Sequence, residues 1–264
     1  MATPKKQSVK LPRAPLIFVL AQVRFSPVLK MESYVPDIQE YMRHHGFPKY
    51  RVETIQNIMI GSGTKTEVTR RWIFDDAESC RQVILTTDAL TFQTTTYDTF
   101  DGFVSDFTTV AQPLADHAKV ERIEQIGLRY VDLLTPIDGI STGELLRPGL
   151  RGVPAASLGS ENMVFSFALQ AQTPPGVLTV RSIQLLNIES LLPPDLGEVS
   201  LAFPKWALKA QDTRVLDFDH ISRTNLSFSG ASLSQELGEL HKYTDMAFRS
   251  FVTEEAFQAW SLPG

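Results

Sequence analysis

Leu16-Ile17-Phe18-Val19-Leu20-Ala21-Gln22-Val23-Arg24-Phe25 is a nearly continuous apolar run with β-branched and aromatic members. It stops at Ser26-Pro27, because proline cannot donate to a ladder. A strand without polar alternation needs cover on both faces, so this segment predicts a central strand of a sheet. A second segment, Glu124 to Leu134, ends before Pro136. It carries Gly127-Leu128-Arg129-Tyr130 where the first carries Gln22-Val23-Arg24-Phe25. Each has an arginine followed by an aromatic near the strand end, and each leads into a helical segment.

The pattern extends outward from these strands. Met31, Tyr34, Val35, Ile38, Tyr41, Met42 and His45 recur at helical spacing, closed by Gly46 and Pro48. Strands are predicted at Arg51 to Ile60, Thr66 to Phe74, Arg81 to Thr87 and Thr91 to Tyr97. A helix opens at Thr99 as N-cap, and Pro113 is expected to kink or end it. In the second half, Thr142 to Arg147 reads as a short helical piece. Met163 to Gln172 and Val177 to Ile188 read as a hairpin, and Arg214 to Arg223 as a strand. Ser232 with Gln235 forms a capping box for a helix, and Thr253 caps a last short one. The stretches 148–160 and 189–209 are rich in Pro and Gly or Ser and read as irregular loops.

The order strand, helix, antiparallel strands, helix therefore occurs twice. It predicts an α+β protein of two pseudo-repeats, residues 15–120 and 121–264, fused into one globular unit. The expected architecture is a curved antiparallel sheet with helices packed on one face. Residues 1–14 are expected to be a flexible basic tail.

Composition narrows the function classes. With 43% hydrophobic and 21% charged residues in 264, the chain is neither disordered nor low-complexity. The longest strongly apolar run, Leu16 to Ala21, falls far short of the ~20 residues that span a bilayer. It also lacks the length and cleavage pattern of a signal peptide. Cys80 is the single cysteine, so no internal disulfide forms, which fits a reducing compartment. A soluble, cytoplasmic protein without a membrane partner is expected. Lys5, Lys6, Lys10 and Arg13 have no acid among them in residues 1–14, so this tail carries +4, the rest of the chain −9, and the whole −5. Such a tail can touch nucleic acid, but the acidic body lacks the basic face of a dedicated duplex binder.

The entry segment Leu11-Pro12-Arg13-Ala14-Pro15-Leu16 with Val23-Arg24-Phe25-Ser26-Pro27 resembles the start of a sporadically distributed bacterial family. That family is functionally uncharacterised and of about this length. Ile126-Gly127-Leu128-Arg129-Tyr130-Val131-Asp132 is similar to its internal signature. Phe251-Val252-Thr253-Glu254-Glu255-Ala256-Phe257 resembles its closing motif. Gln22 departs from the acid expected before Val23. The resemblance implies one continuous unit of bacterial cytoplasmic origin and supplies no catalytic residues. In architecture alone, the doubled unit is similar to the saddle of TATA-binding-protein-like folds, which does not select a function.

No motif converges on catalysis, and none implies a cofactor. The histidines His44, His45, His117, His220 and His241 show no metal-ligand spacing. Gly61-Ser62-Gly63-Thr64-Lys65-Thr66 lacks phosphate-loop spacing and lies between strands, so it reads as a hairpin turn. Asp217 and Asp219 share one strand face and form a candidate pair for a divalent ion, or else a solvent-facing polar face. Arg24 and Arg129, with Asp132, form a candidate anion site between the halves; the plainer reading is internal pairing, with Asp132 or Glu124 as partner. Leu191, Leu192, Phe203 and Trp206 read as exposed apolar side chains that dock a partner or lid the core.

The expected function is a non-catalytic binding or adaptor protein in a bacterial cytoplasmic system, of stress, defence or toxin–antitoxin type. Its partner would be another protein or a second copy, as in a homodimer. The alternatives are a small-ligand or anion receptor or an enzyme with a pocket between the halves, and then nucleic-acid binding through the sheet face and the tail.

Overall fold

The computed structural model describes residues 11–60, 64–153, 155–159, 164–184 and 191–263, with backbone only at 56–60, 64–67 and 155. Its elements are β1 (Leu16–Arg24), α1 (Met31–His44), β2 (Lys49–Ile60), β3 (Thr64–Asp75), β4 (Arg81–Leu85), β5 (Ala89–Thr94) and α2 (Phe100–Asp116). Then come β6 (Arg122–Leu134), β7 (Phe165–Gln172), β8 (Val177–Gln184), α3 (Lys205–Leu208), β9 (Arg214–Ser227), α4 (Gly230–Phe251) and α5 (Glu254–Ser261). The strands form one antiparallel sheet in the order β2-β3-β4-β5-β1-β6-β9-β8-β7. β1 occupies the middle of that order, as a strand apolar on both faces requires. It pairs with β6 through Val19↔Tyr130, Leu20↔Arg129 and Arg24↔Gln125.

The two faces of β1 are covered by different materials. Val19, Ala21 and Val23 face a core built with Met31, Val35, Ile38 and Met42 of α1, Phe103 and Phe107 of α2, and Leu233, Leu237 and Leu240 of α4. On the other face a bulge at Ile17 lets Ile17 and Phe18 point the same way. They pack with Val131, Leu133 and Val215 beneath Leu191, Leu192, Leu201 and Ala207 of the long loop. That loop is not wholly irregular. It holds a 3-10 turn at Pro194–Leu196 and the short α3. Its Ala202 N–H donates to the Ser79 carbonyl (2.7 Å), and its carbonyl accepts from Thr95 Oγ1 (2.6 Å). Each large side chain so buried contributes about 1.5–3 kcal/mol.

The expectation of exposed Leu191 and Leu192 is therefore corrected: each is 6% exposed. The bare apolar face of β1 and β6 needs cover, and these leucines supply it. Phe203 is partly buried against the same cluster, whereas Trp206 is exposed.

Local chemistry explains most boundaries. Thr99 caps α2 by accepting from Gly102 N–H, and Thr253 caps α5 by accepting from Ala256 N–H. For α4 the cap is Ser229, whose Oγ accepts from Ser232 N–H (3.1 Å), so the expected capping box at Ser232 does not form. Pro113 lies inside α2, which runs on to Asp116. Its missing N–H leaves the Thr109 carbonyl without a helical donor, and Tyr41 Oη donates there instead (3.2 Å). Thr142 to Arg147 forms turns rather than a helix, and Leu146 bridges to Val252. Gly176 closes the β7–β8 hairpin where a Cβ would stand 2.0 Å from the Ile221 carbonyl oxygen. Among the described residues no helix is long and apolar enough to cross a membrane.

Candidate functional site

Arg129 extends from β6 toward the loop-covered face. Its Nε and Nη2 donate to the two oxygens of Asp217 on neighbouring β9 (2.7 and 2.8 Å). Its Nη1 and Nη2 donate to Asp195 in the 3-10 turn above (2.9 and 3.0 Å). One guanidinium is thus clamped by two bidentate carboxylates. Arg181 of β8 joins them, with Nη1 2.7 Å from Asp217 and 3.4 Å from Asp195. Burial works against the Arg129 charge, but Asp195 and Asp217 overcome it and hold the guanidinium above its ordinary value. The hydrogen bond from Arg129 lowers Asp195. Burial raises Asp219, against the pull of Arg129.

This network changes the reading of Asp217 and Asp219. They do share a face, but it is not a solvent face: Asp217 is 0% exposed. Its carboxylate is engaged by Arg129 and Arg181 rather than offered to a cation. Among the described residues no cluster of three or more His, Cys, Asp or Glu could hold a metal ion.

The sequence-predicted anion site is not assembled. Arg24 and Arg129 lie on the same face of the sheet, but Arg129 registers with Leu20, four residues along β1 from Arg24. Arg24 is exposed and pairs with Asp88 at the turn before β5. Alternation along β6 puts Asp132 on the opposite, helix-covered face, in line with Tyr130. The expected partners Asp132 and Glu124 serve neither arginine; Glu124 accepts from Ser26 instead. Of the basic tail, Lys5, Lys6 and Lys10 lie outside the described residues. Arg13 is tied to Asp138 (2.8 and 3.1 Å).

A second polar cluster sits on the helix face. Tyr130 Oη is hydrogen-bonded to Nδ1 of His241 on α4 (2.9 Å). Phe100 stacks on the His241 ring at 4.0 Å, and Tyr97 meets Tyr130 edge-on at 5.9 Å. Burial lowers the His241 pKa, against the charges of Asp245 and Asp101, and so favours the neutral imidazole. Burial pushes Tyr97 up to about 12 and Tyr130 well above its ordinary value. Asp132 is 5% exposed, and its carboxylate makes no hydrogen bond among the described residues. Burial, and then the charge of Asp217, push it up to about 8. No protein-family model matches this chain, and no curated protein matches it. The chemistry must therefore be judged from these residues alone.

Both interior clusters are closed, whereas the β2–β3 hairpin is open. Only Trp72–Asp75 of β3 pair with β4. Among the described residues, 64–71 of β3 therefore have β2 on one side and no strand on the other, and β2 is an outer strand of the sheet. Tyr50, Val52 and Val68 are 39%, 47% and 59% exposed. Between this hairpin and α1 lies an open groove of about 400 Å³, lined by Glu32, Val35, Pro36, Tyr50, Val52, Thr54, Arg70 and Trp72. An Arg70–Glu32 ion pair spans it.

Sequence reasoning missed Arg181 and Asp195, and it did not bring Tyr97, Tyr130 and His241 together. One signal was present: His241 follows Leu237 by one helical turn, on the buried stripe of α4.

Proposed function

We propose that this protein is a non-catalytic protein-binding module whose contact surface is the β2–β3 hairpin with the adjoining groove. The observation that carries this reading is the doubly open hairpin with Tyr50, Val52 and Val68 exposed along it. Folded proteins normally cover, shorten or twist away such an edge, because its free N–H and C=O groups template a further strand. An added strand would gain main-chain hydrogen bonds from the edge and side-chain specificity from the groove. The interior clusters offer less. Arg129 already makes four hydrogen bonds to carboxylates.

The two-repeat reading belongs to the same proposal. Support comes from the place of the axis: the twofold that carries Arg24 to Arg129 passes between Gln22 and Gly127, which are partners inside the β1–β6 ladder. Strand order outward from β1 is β5-β4-β3-β2, and outward from β6 it is β9-β8-β7. On this reading the second half ends at β7 with no counterpart of the outermost β2, so the binding strand is an elaboration of one half.

Photo-cross-linking tests the module. A cross-linking side chain at position 52 is expected to capture protein in cells, and one at position 170 on β7 is expected to capture little. Equal capture at both positions, or none at 52, overturns the reading.

A further inference from the structure

Resting on that reading, we propose that the partner is a second copy of this chain, paired antiparallel along β2 about a twofold axis at Val52. Every strand pairing in the sheet is antiparallel. A second β2 laid antiparallel on the first continues that pattern, and an antiparallel strand can pair with itself.

The charges on β2 select the register. In the register centred on Val52, Arg51 of each copy stands opposite Glu53 of the other. Val52 meets Val52, and Tyr50 meets Thr54. Opposite residues of an antiparallel pair point to the same face, so each Arg–Glu pair is in side-chain reach. Within one chain Arg51 Nε already donates to Glu53 Oε1 at 3.2 Å. Dimerisation turns that partly buried pair into a cluster of two arginines and two glutamates at the seam. Slipping the axis to 53 puts Glu53 against Glu53. Slipping it to 51 puts Arg51 against Arg51, and the Lys49 that would then face Glu53 is already bonded to the Ala77 carbonyl and Ser79 Oγ of its own chain. Each neighbouring register that keeps the sheet faces aligned thus sets a like-charge pair at the axis.

The opposite face gives the apolar half of the same argument. Tyr50 and Val52 alternate with the charged pair and face the groove beside α1. In the Val52 register the two grooves meet at the axis, and the exposed Val52 side chains cover each other. The charged residues of β2 would guard a lone edge. Arg51 and Glu53, of opposite sign and two residues apart, complement their own copies across the twofold.

The test uses the full chain, with molar mass measured by light scattering after size exclusion. The native protein is expected to be a dimer. Arg51→Glu and Glu53→Arg, each alone, set like charges opposite and are expected to weaken dimerisation about tenfold or more. Mixing these two variants restores opposite charges at both contacts, so a heterodimer is expected. The double swap in one chain is expected to dimerise with itself. Restoration by mixing cannot come from refolding, because each chain keeps its own substitution. Arg51 also bonds Asp75 and Ser200, so melting temperatures accompany every mass. A monomeric native protein, or a dimer that ignores the charge swaps, overturns this inference. If the chain is monomeric but position 52 still captures a different protein, the self-pairing fails and the binding module stands.

Discussion

Arg24 and Arg129 occupy similar local sequences, each next to an aromatic in an apolar strand, and they meet opposite physical fates. Arg24 reaches past the end of β1 to Asp88 and stays about half exposed, with 47% of its side chain accessible. Arg129 lies in the middle of β6, 6% accessible, between one carboxylate from β9 and another from the covering loop. The first is a solvated pair whose attraction water screens. The second is a desolvated charge that survives because two carboxylates replace its hydration. The same residue type thus decorates one ladder and fastens the other, where Asp195 ties the loop to the sheet.

The sharpest way to break this comparison is Arg129→Ala. It strands Asp217, fully buried, with Arg181 as its remaining cation. We expect a loss of about 3–4 kcal/mol, within the range for breaking a buried pair. Chemical denaturation measures it, and a loss under about 1 kcal/mol would show the network to be ornamental. Arg129→Ala should also raise proteolysis of the loop around Asp195, which Arg24→Ala should leave unchanged.

A pH-dependent effect belongs to Asp132, three residues from Arg129 and on the other face, with no cation beside it among the described residues. Its folded pKa, about 8, lies above the ordinary carboxylate value. The folded state therefore keeps a proton that the unfolded chain releases. Stability falls as pH rises from about 4 to about 8, and the loss is complete above that. Asp132→Asn removes this dependence. It should be more stable than the native protein at pH 9 by several kcal/mol and close to it at pH 4, measured by denaturation at each pH. A difference constant with pH would show that Asp132 is ionised in the folded state. Smallest of all is Arg24→Ala, expected to change stability by no more than about 0.5 kcal/mol, and by less in high salt.

Much of the fold was legible. The apolar run at Leu16 to Phe25 called for a central strand with two covered faces, and β1 has both. The helical stripes of α1, α2 and α4 and the caps at Thr99 and Thr253 follow from spacing and side-chain oxygens within a few residues. The candidate site was less legible. Alternation correctly put Asp217 and Asp219 on one face and His220 on the other, yet it carries no information on whether that face meets water. Leu191 and Leu192 stand in a Pro-rich stretch that composition alone assigns to the surface.

The sequence by itself determined the periodicities, the turns and the need to bury both faces of β1. Those depend on neighbours one to four residues apart. What fills the second face, which acid each arginine meets and which strand is left at the open edge were decided by tertiary structure. Arg129 finds its carboxylates 66 and 88 residues away. Such partners are set by strand order and register, which local pattern does not encode. Arg24, whose Asp88 lies 64 residues away at the turn beside its own ladder, and Arg129, 66 residues from the Asp195 that covers it, differ by register and cover and not by sequence distance.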